Sequence, residues 1–427
     1  MKRLFDSRFV YTLLLWLLLP YVFFHLWWRS RKQREYLDHV GERFGRYQVS
    51  CDKPVIWLHT VSVGETRATA TLVRSLRECY PSYQILLTHT TPTGRDAGEQ
   101  LFGDGVMRVY LPYDYPFAVK RFLRHFRPAV GVLLETEIWY NLIHACHAES
   151  IPLMLLNARL SEKSARRYAR FPRLTRAGLH ELYLIAAQTE DDAMRLASLA
   201  NRAVPVMGNL KYDIEPPPAM LELGKLLRSR FGENRPVFLA ASTREGEEVL
   251  LLEALKHAVV ENLLVVIVPR HPQRFDEVAS LIGKRGLHMQ RRSASEPVSA
   301  HTQVVLGDSM GEMFAYFAAC DVAFIGGSLL PFGGQNLIEA CAVGTPVLIG
   351  PHTYNFSQAT EQAVSHRAAM QLKHADEVVH QLNILFYDPV LLARMGEAGK
   401  SFVRNNCGAT RHAMAHIALA LNHSLYT

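Results

Sequence analysis

The sequence predicts two doubly wound α/β domains, each a parallel sheet with helices on both faces, preceded by an apolar N-terminal helix. Short, solidly apolar runs alternate with amphipathic segments, which is typical of parallel strands buried on both faces and their crossover helices. The chain has 427 residues, more than one hydrophobic core usually serves, so two domains are expected. A proline-rich segment at 213–218 separates two series of such runs and is expected to form a stiff linker.

These patterns set the expected domain boundaries. They are a membrane anchor with a basic collar at 1–34, a first domain at 35–212, the linker at 213–219, a second domain at 220–408, and a C-terminal helix at 409–427 that packs back on the first domain.

The anchor is predicted from residues 9–28, an apolar segment of about the length that a bilayer requires. Pro20 interrupts the segment, and Trp27 and Trp28 close it as an interfacial aromatic belt. A cleaved signal peptide is one alternative, but a basic run follows the segment where a small-residue cleavage site would be needed. The other alternative is a tightly held interfacial helix, and the sequence does not decide whether the segment spans the bilayer or inserts halfway. By the positive-inside rule, the rest of the chain is expected in the cytoplasm. Deleting residues 1–28 is expected to release the protein from membranes and to leave its folding intact.

The positive charge of the chain is concentrated near this segment. The net charge is +7, and the first 50 residues hold nine Lys or Arg and four acidic residues, which leaves 38 basic and 36 acidic residues elsewhere. The collar is expected to contact anionic membrane lipids. Because the sequence contains no helix-turn-helix, RNA-binding or zinc-finger pattern, a nucleic-acid partner is not expected.

Twelve strands are predicted. In the first domain they are 55–59, 85–88, 106–111, 130–134, 153–156, 184–187 and 204–207; in the second they are 237–240, 264–268, 304–306, 322–325 and 347–349. Ligands of doubly wound sheets bind at the carboxyl ends of the strands, so the loops that follow these strands are where a site is expected.

One acidic motif follows the first strand. Ser62, Gly64 and Glu65 lie where that strand passes into a predicted helix at about 66–79. Gly64 is expected to permit a tight turn with Glu65 at its exit. A general base for a sugar hydroxyl must be a carboxylate or an imidazole within hydrogen-bond reach, which makes Glu65 a candidate. The alternative is that Glu65 only complements the helix N-terminus.

A second acidic motif, with Glu135 and Glu137, follows the strand at 130–134. Glu137 is the other candidate base, and the alternative for it is a solvated or ion-paired loop acid. The segment at 157–161, which includes Arg159, follows the next strand and could hold an acceptor.

Several loops of the second domain are suited to binding an anion. Arg270 follows the strand at 264–268, and a guanidinium group can hold a phosphate through two hydrogen bonds. The segment at 307–313 opens a predicted helix, whose N-terminus also favours anions.

The segment at 322–356 is the most informative part of the second domain. Its glycines at 326–327 and 333–334 are expected to let backbone N–H groups approach an anion closely. Asn336 and Glu339 follow them at the start of a helix, and such an acid can accept hydrogen bonds from ribose hydroxyls. The combination predicts a nucleotide site.

The six cysteines form no CxxC pair and are expected to be reduced thiols. The 19 histidines are scattered without metal-ligand spacing, so neither a metal ion nor another cofactor is expected.

Taken in order, the motifs resemble those of the 3-deoxy-D-manno-octulosonic acid (Kdo) transferases of Gram-negative bacteria, membrane-anchored glycosyltransferases of the GT-B fold. The motifs are GERFG at 41–45, SVGE at 62–65, ETEIW at 135–139, NARLS at 157–161, GNLK at 208–211, PRHP at 269–272, GDSMGEM at 307–313, GGS at 326–328 and GPHTYNF at 350–356. Two positions depart from the family pattern: Gln335 stands where His is usual and Leu337 where Pro is usual. Both lie in the segment expected to shape the ribose pocket.

The resemblance implies a function in lipopolysaccharide biosynthesis at the cytoplasmic side of the bacterial inner membrane. CMP-Kdo would be the donor, bound by the second domain across a cleft from the first, and the lipid A precursor lipid IVA would be the acceptor, bound by the first domain. The residues it assigns are Glu65 as general base and Glu137 as a second active-site acid; Ser62, Gly64, Arg159 and Lys211 for Kdo or the acceptor; and Arg270, His271, Met310, Gly311, Glu312, Asn336 and Glu339 for CMP.

In the implied mechanism Glu65 takes a proton from the acceptor hydroxyl as it attacks the anomeric carbon, which inverts that centre. CMP leaves without a general acid if Arg270 and the helix starts near 311 and 327–336 stabilise its phosphate. Two alternatives remain open: another membrane-associated nucleotide-sugar enzyme, such as a UDP-sugar transferase or epimerase, and a non-catalytic, membrane-tethered nucleotide-binding protein. The number of Kdo units added and the oligomeric state do not follow from the sequence.

Overall fold

The apolar runs of the sequence form two parallel sheets, one in each of two units. The computed structural model describes residues 7–31 and 33–424. The first unit extends to Asp213 and includes the segment from Cys407 onward, and the second unit runs from Ile214 to Asn406. Lys2, Arg3 and Lys32 of the predicted collar and Leu425 at the end of the last predicted helix lie outside the described residues.

The sheet of the first unit has six parallel strands in the order β3-β2-β1-β4-β5-β6. They are β1 (Val55–His59), β2 (Gln84–His89), β3 (Met107–Tyr110), β4 (Pro128–Leu134), β5 (Leu153–Ala158) and β6 (Leu184–Ala187). The strand predicted at 204–207 is reduced to one bridge between Ala187 and Val206. Pro205 has no N–H to donate to a ladder, which explains why the pairing does not extend.

Over residues 7–31 and 33–212, ten α-helices of the first unit precede the linker. They are α1 (Arg8–Leu17), α2 (Leu19–Ser30), α3 (Val63–Ala68), α4 (Ala70–Cys79), α5 (Pro92–Phe102), α6 (Pro116–Phe126), α7 (Tyr140–Ala148), α8 (Glu162–Tyr168), α9 (Pro172–Glu181) and α10 (Glu190–Ala200). Alternate residues of β1 serve opposite cores. Val55 and Trp57 pack with α6, α7, α9 and α10, whereas Ile56 and Leu58 pack on the face that carries α4.

The sheet of the second unit has seven parallel strands in the order β13-β12-β11-β7-β8-β10-β9. They are β7 (Val237–Thr243), β8 (Leu264–Pro269), β9 (Met289–Arg291), β10 (Val304–Leu306), β11 (Val322–Ile325), β12 (Val347–Ile349) and β13 (Ala369–Gln371). All five predicted strands are present. The two that were not predicted, β9 and β13, are three-residue edge strands without a solid apolar run, so sequence pattern alone does not mark them.

Eight helices cover this second sheet. They are α11 (Pro218–Phe231), α12 (Glu247–Ala254), α13 (Phe275–Gly283), α14 (Met313–Ala319), α15 (Ile338–Val343), α16 (Ser357–Ser365), α17 (Ala375–Tyr387) and α18 (Pro389–Asn406).

The last helix, α19 (Ala409–Ser424), lies in the first unit. Its buried residues Ala413, Ile417 and Leu421 recur every four positions and pack with α4 on one face of the first sheet. The Asp213 carboxylate accepts hydrogen bonds from the Gly408 N–H at 2.6 Å and from the Thr410 N–H. These bonds cap the helix and tie its start to Asp213, the first residue of the linker.

The N-terminal anchor helix expected over residues 9–28, with an interruption at Pro20, is two helices in the structure. Helices α1 and α2 meet at Leu18 and are bent by 52°. Pro20 lies in the first turn of α2, where its missing N–H is tolerated, but it could not continue α1. Among residues 7–31 and 33–424, no single helix is long and apolar enough to cross a membrane, and only the bent pair α1–α2 has the required length and composition.

Helix α1 is joined to the first unit by specific hydrogen bonds. The Tyr11 hydroxyl donates to the Asp114 carboxylate at 2.9 Å, and the Thr12 hydroxyl donates to the Asn141 side chain at 2.9 Å. Asp114 is buried and also accepts from the N–H groups of Asn141 and Leu142. Removing α1 would therefore take a partner from a buried carboxylate, contrary to the expectation that residues 1–28 can be deleted without consequence for the folded unit.

Candidate active site

The acidic motifs of the first unit meet where its strand order reverses. Strands β1 and β4 are neighbours, and His59 at the end of β1 is level with Leu133 near the end of β4. Ligands of doubly wound sheets bind outside the carboxyl ends of the strands at this reversal. Glu65 follows β1 and Glu137 follows β4, so both candidate bases lie at the reversal.

Glu65 lies in the first turn of α3. The Ser62 hydroxyl accepts from the Glu65 N–H at 3.3 Å and donates to the Glu65 carboxylate at 2.9 Å, and the Val61 N–H donates to that carboxylate at 2.8 Å. This arrangement is close to a capping box, except that the Glu65 carboxylate accepts from the N–H of Val61 and not from that of the N-cap residue Ser62. Gly64 is part of the same helical turn and its φ is not positive, so the prediction of a tight turn at Gly64 is wrong. The bonds hold the Glu65 carboxylate in one orientation at the end of β1.

A third acid, Glu135, lies beside the two predicted ones. Its backbone is in the left-handed region with φ 59°, and its carboxylate is 3.2 Å from the Lys211 ammonium group. Burial raises the pKa of Glu65, and Glu135 raises it further, while the Val61 N–H, the Ser62 hydroxyl and Lys211 oppose the shift. Three carboxylates and one ammonium group are thus close enough to influence one another.

Glu137 has the most perturbed carboxyl of this cluster. Burial raises its pKa to about 7, and Glu65 and Glu135 add to the effect. The Trp139 indole N–H donates to the carboxylate at 2.6 Å and opposes the shift. Near neutral pH the carboxyl group is therefore present in both protonation states, which is the property that a group exchanging protons requires.

His59 is a neighbour of Glu137 that the sequence analysis did not identify as a site residue. Its Nε2 is 3.9 Å from the Glu137 carboxylate, and its Nδ1 is within hydrogen-bond distance of the Thr88 carbonyl oxygen and hydroxyl. Burial lowers its pKa to about 3, so the imidazole is neutral and cannot form an ion pair with Glu137. Only its position as the last residue of β1 marks it in the sequence.

The remaining predicted residues of the first unit border this cluster. The Leu210 N–H donates to the Asn157 side chain at 3.1 Å, which holds the segment that carries Lys211 against the end of β5. The Arg159 N–H donates to the Glu135 carbonyl oxygen at 3.4 Å, and the Arg159 residue is exposed. The segments at 135–139, 157–161 and 208–211 thus converge at one edge of the sheet, although they are distant in sequence.

The predicted donor residues of the second unit follow neighbouring strands. Its strand order reverses between β7 and β11. Arg270 and His271 follow β8, and Arg244 follows β7. Burial lowers the pKa of His271, and the charges of Arg244 and Arg270 lower it further. This part of the edge is therefore positively charged, as an anion site requires.

The segment at 326–334 after β11, here called the glycine loop, does not present its N–H groups to an anionic ligand as predicted. The N–H groups of Gly327, Ser328 and Leu329 donate to the buried carboxylate of Glu247 at 2.6, 2.9 and 2.9 Å. A Cβ at Gly326 would lie 2.4 Å from the Ser242 carbonyl oxygen, so this glycine permits the loop to approach β7. The N–H groups of Gly326 and Gly334 donate to the carbonyl oxygens of Ala241 and Gly327. The prediction that Gly326, Gly327 and Gly334 hold an anionic ligand through their N–H groups is therefore wrong, because oxygen atoms of the protein already accept from them.

The predicted residues after β10 form a separate group. The Glu312 carboxylate accepts from the Ser309 hydroxyl at 2.6 Å and lies 3.3 Å from the Arg292 guanidinium group. Met310 is 54% exposed, and Gly311 has a positive φ of 80°. The helix that follows, α14, has only seven residues. Its dipole therefore contributes less to binding an anion than a longer helix would.

Asn336 and Glu339 contact each other at the start of α15. The Asn336 amide donates to the Glu339 carboxylate at 3.1 Å, and its oxygen accepts from the Ile338 N–H at 3.0 Å. Leu337, where the family pattern has Pro, is fully buried. Within the described part of the chain, no group of three or more His, Cys, Asp or Glu side chains is placed to hold a metal ion.

Comparison with known proteins identifies the family. Residues 38–214 match the family described as 3-deoxy-D-manno-octulosonic-acid transferase (kdotransferase), and residues 230–402 match glycosyl transferases group 1. The chain is 41% identical to the 3-deoxy-D-manno-octulosonic acid transferase of Bordetella pertussis, over 96% of this chain and 98% of that protein. The chain belongs to the 3-deoxy-D-manno-octulosonic acid transferase family. The protein of that name from Haemophilus influenzae is 36% identical over 95% of this chain and 97% of its own length.

Membership in this family confirms the predicted resemblance and makes the chain a glycosyltransferase. A solved glycosyltransferase from Rickettsia africae has the same fold, with a TM-score of 0.57 at 14% identity, over 87% of this chain and 99% of that one. The prediction of two parallel-sheet α/β domains of the GT-B type is confirmed by this likeness and by the two sheets. The predicted residue roles stay predictions.

Proposed function

We propose that this Kdo transferase moves Kdo from CMP-Kdo to lipid IVA with inversion, and that Glu65 is the general base. The observation that carries the proposal is the acid cluster at the strand reversal of the first unit. Glu65 is held there by Ser62 and Val61, and its raised pKa makes it a better proton acceptor than an ordinary carboxylate. The base takes the proton of the acceptor hydroxyl as that oxygen attacks the anomeric carbon.

Glu137 is proposed as the second acid of the site. Because its pKa is about 7, a neutral Glu137 carboxyl can donate a hydrogen bond to the carboxylate that Kdo carries. The ionised form can instead accept from a sugar hydroxyl. Lys211, paired with Glu135, would compensate part of the negative charge while the donor and the acceptor are bound.

The donor is proposed to bind at the carboxyl edge of the second sheet. Strands β11, β7, β8 and β10 are consecutive neighbours, so their loops cover about 14 Å, a length suited to a nucleotide. Asn336 and Glu339 follow β11 and offer an amide and a carboxylate for ribose hydroxyls. Arg270 follows β8 and is suited to the phosphate, with His271 beside it. Guanidinium groups can stabilise the departing phosphate, so activity is expected to persist in a metal chelator.

The experiment that tests the proposal is a transfer assay with purified protein, lipid IVA and CMP-Kdo generated in place, with the products analysed by mass. Glu65→Gln should lower the rate by about 10²–10⁴-fold, the usual contribution of a general base, while CMP still binds. Glu162→Gln is the matched control, since that acid lies on α8 of the same unit and is 71% exposed. It should keep the wild-type rate.

The outcomes separate the parts of the proposal. Transfer by Glu65→Gln at the rate of the control would exclude Glu65 as the base. Absence of any mass gain in the wild type, with CMP bound, would exclude lipid IVA as the acceptor. Tighter binding of UDP than of CMP to the wild-type protein would favour a UDP-sugar enzyme instead.

We also propose that α1 and α2 hold the protein on the cytoplasmic side of the inner membrane. The two helices expose most of their large apolar side chains, and an exposed apolar patch of this kind marks an interaction surface. The side chains are Phe9, Leu13, Leu14, Trp16, Leu17, Leu18, Tyr21, Phe23, Phe24, Trp27 and Trp28. Exposed Arg29, Arg31 and Arg34 follow them and would meet anionic headgroups.

Flotation with anionic phospholipid vesicles tests this membrane role. Leu17→Gln combined with Phe24→Gln should reduce the bound fraction, because both side chains are more than half exposed and their removal leaves the core intact. Leu419→Gln on α19, which is 62% exposed, is the matched control. Equal vesicle-bound fractions for the two variants would show that α1 and α2 do not form the membrane contact.

A further inference from the structure

The Glu247 carboxylate occupies a place that resembles an anion-binding site. Residue Glu247 is fully buried at the first position of α12. Four main-chain N–H groups donate to its carboxylate, those of Arg244, Gly327, Ser328 and Leu329, at distances of 2.6–2.9 Å. Three consecutive N–H groups aimed at one anion form the kind of concavity that binds phosphate in other proteins. Here a side chain of the protein takes that position.

These bonds connect two loops at the strand reversal of the second sheet. Arg244 lies in the loop after β7 and Glu247 begins the helix that follows it, whereas Gly327 to Leu329 lie in the loop after the neighbouring strand β11. One carboxylate therefore sets the distance between the two loops. Loss of its charge would leave several buried N–H groups poorly paired, and the loops would be free to separate.

The bonds also determine where the Arg244 side chain lies. Its guanidinium group stacks 4.3 Å from the centre of the Phe332 ring, which belongs to the glycine loop. Its Nε donates to the exposed Glu245 carboxylate at 2.9 Å. The charges of Arg244 and Arg270 both act on His271, so the two guanidinium groups belong to one positive cluster.

We infer that Glu247 is a positioning residue for the donor: it holds the glycine loop and the Arg244 main chain so that the Arg244 guanidinium group, stacked on Phe332, binds the donor phosphate. This inference rests on the proposed CMP-sugar site. In this arrangement guanidinium side chains bind the donor phosphate, and the N–H groups of Gly327, Ser328 and Leu329 bind Glu247 instead. Arg244 is added to Arg270 as a phosphate ligand.

Titration calorimetry of the full chain with CMP and with cytidine tests the inference, because cytidine lacks the phosphate. Glu247→Gln keeps the size of the side chain but removes the charge. It should weaken CMP binding about tenfold, as loss of one charge-assisted contact does, and change cytidine binding less than twofold. Glu247→Asp keeps the charge and should restore part of the CMP affinity.

Glu248→Gln is the matched control. Glu248 is equally buried, but its carboxylate binds the Arg274 guanidinium group at 2.7 Å and the Thr243 hydroxyl, not the loop. This variant should melt at a lower temperature than the wild type and bind CMP within twofold of it. A positioning role also predicts that Glu247→Gln combined with Arg244→Gln binds CMP no more weakly than Arg244→Gln alone.

Three results would overturn the inference. They are wild-type CMP affinity in Glu247→Gln, an equal loss of CMP and cytidine affinity, and additive effects in the double variant. A wild-type chain that binds neither CMP nor cytidine would overturn the proposed donor site, and this inference with it.

Discussion

Glu137→Gln should stabilise the protein at alkaline pH while lowering its activity. Burial raises the pKa of Glu137 from 4.5 to about 7, so the folded state binds the proton more tightly than the unfolded state. The ionised carboxylate is therefore a source of instability above pH 7. The glutamine amide has nearly the same shape, carries no charge, and can still accept from the Trp139 indole N–H.

The sign and size follow from linkage. Between pH 4.5 and 7 the folded state holds more protons at this site than the unfolded state, so the wild-type free energy of unfolding falls as the pH rises through that interval and then levels. A shift of one pKa unit corresponds to about 1.4 kcal/mol. The difference in unfolding free energy between Glu137→Gln and the wild type should therefore increase by roughly 2–3 kcal/mol from pH 5 to pH 8.

Urea unfolding of both proteins at half-unit intervals from pH 5 to pH 8 measures this difference, since groups that titrate alike in the two proteins cancel. Transfer assays on the same samples should show a lower rate for the variant at every pH. A difference that stays constant within about 0.5 kcal/mol over this range, which is the scatter of ordinary surface substitutions, would refute a buried Glu137 with a raised pKa.

Two further predictions concern the stability of the first unit. Gly131→Ala in β4 should lower the free energy of unfolding by about 1–3 kcal/mol, because the new Cβ would lie 2.6 Å from an indole ring of β1. Gly283→Ala in α13, where nothing lies within 4 Å of the added carbon, should raise it by about 0.4–1 kcal/mol, and equal urea midpoints for the two variants would contradict the packing. Tyr11→Phe should lower the free energy of unfolding by about 1–2 kcal/mol, because it removes the hydrogen bond to buried Asp114. Tyr21→Phe, at a side chain 60% exposed, is its control, and equal melting temperatures would show that α1 is not held to the unit by that bond.

The sequence predicted the strands well where burial is continuous. The run at 55–59 corresponds to β1, and the run at 322–325 corresponds to β11, because a parallel strand buried on both faces needs apolar residues at successive positions. Because these apolar runs also show where each strand ends, they predicted that Glu65 follows β1 and that Glu137 follows β4. The structure brings them close enough for Glu65 to raise the pKa of Glu137, because β1 and β4 are neighbours in the sheet.

Predictions that depended on main-chain geometry were less successful. The helix expected at about 66–79 is two helices, and Glu65 lies inside the first of them, since the N-cap residue Ser62 starts that helix at Val63. The apolar segment at 9–28 is bent because Pro20 cannot continue α1. In both cases a local feature of one or two residues decided the geometry within a pattern that otherwise indicated a single helix.

The sequence by itself determined the two α/β domains, the family and the two acids of the candidate site, because these depend on apolar periodicity and on short motifs. Only the tertiary structure showed that the glycine loop binds Glu247, a residue 80 positions earlier in the chain. Likewise, only the structure paired Glu135 with Lys211, 76 positions later. Hydrogen bonds and ion pairs depend on which strand ends are neighbours, and that order is fixed when the sheet assembles and leaves no periodic signal in the sequence.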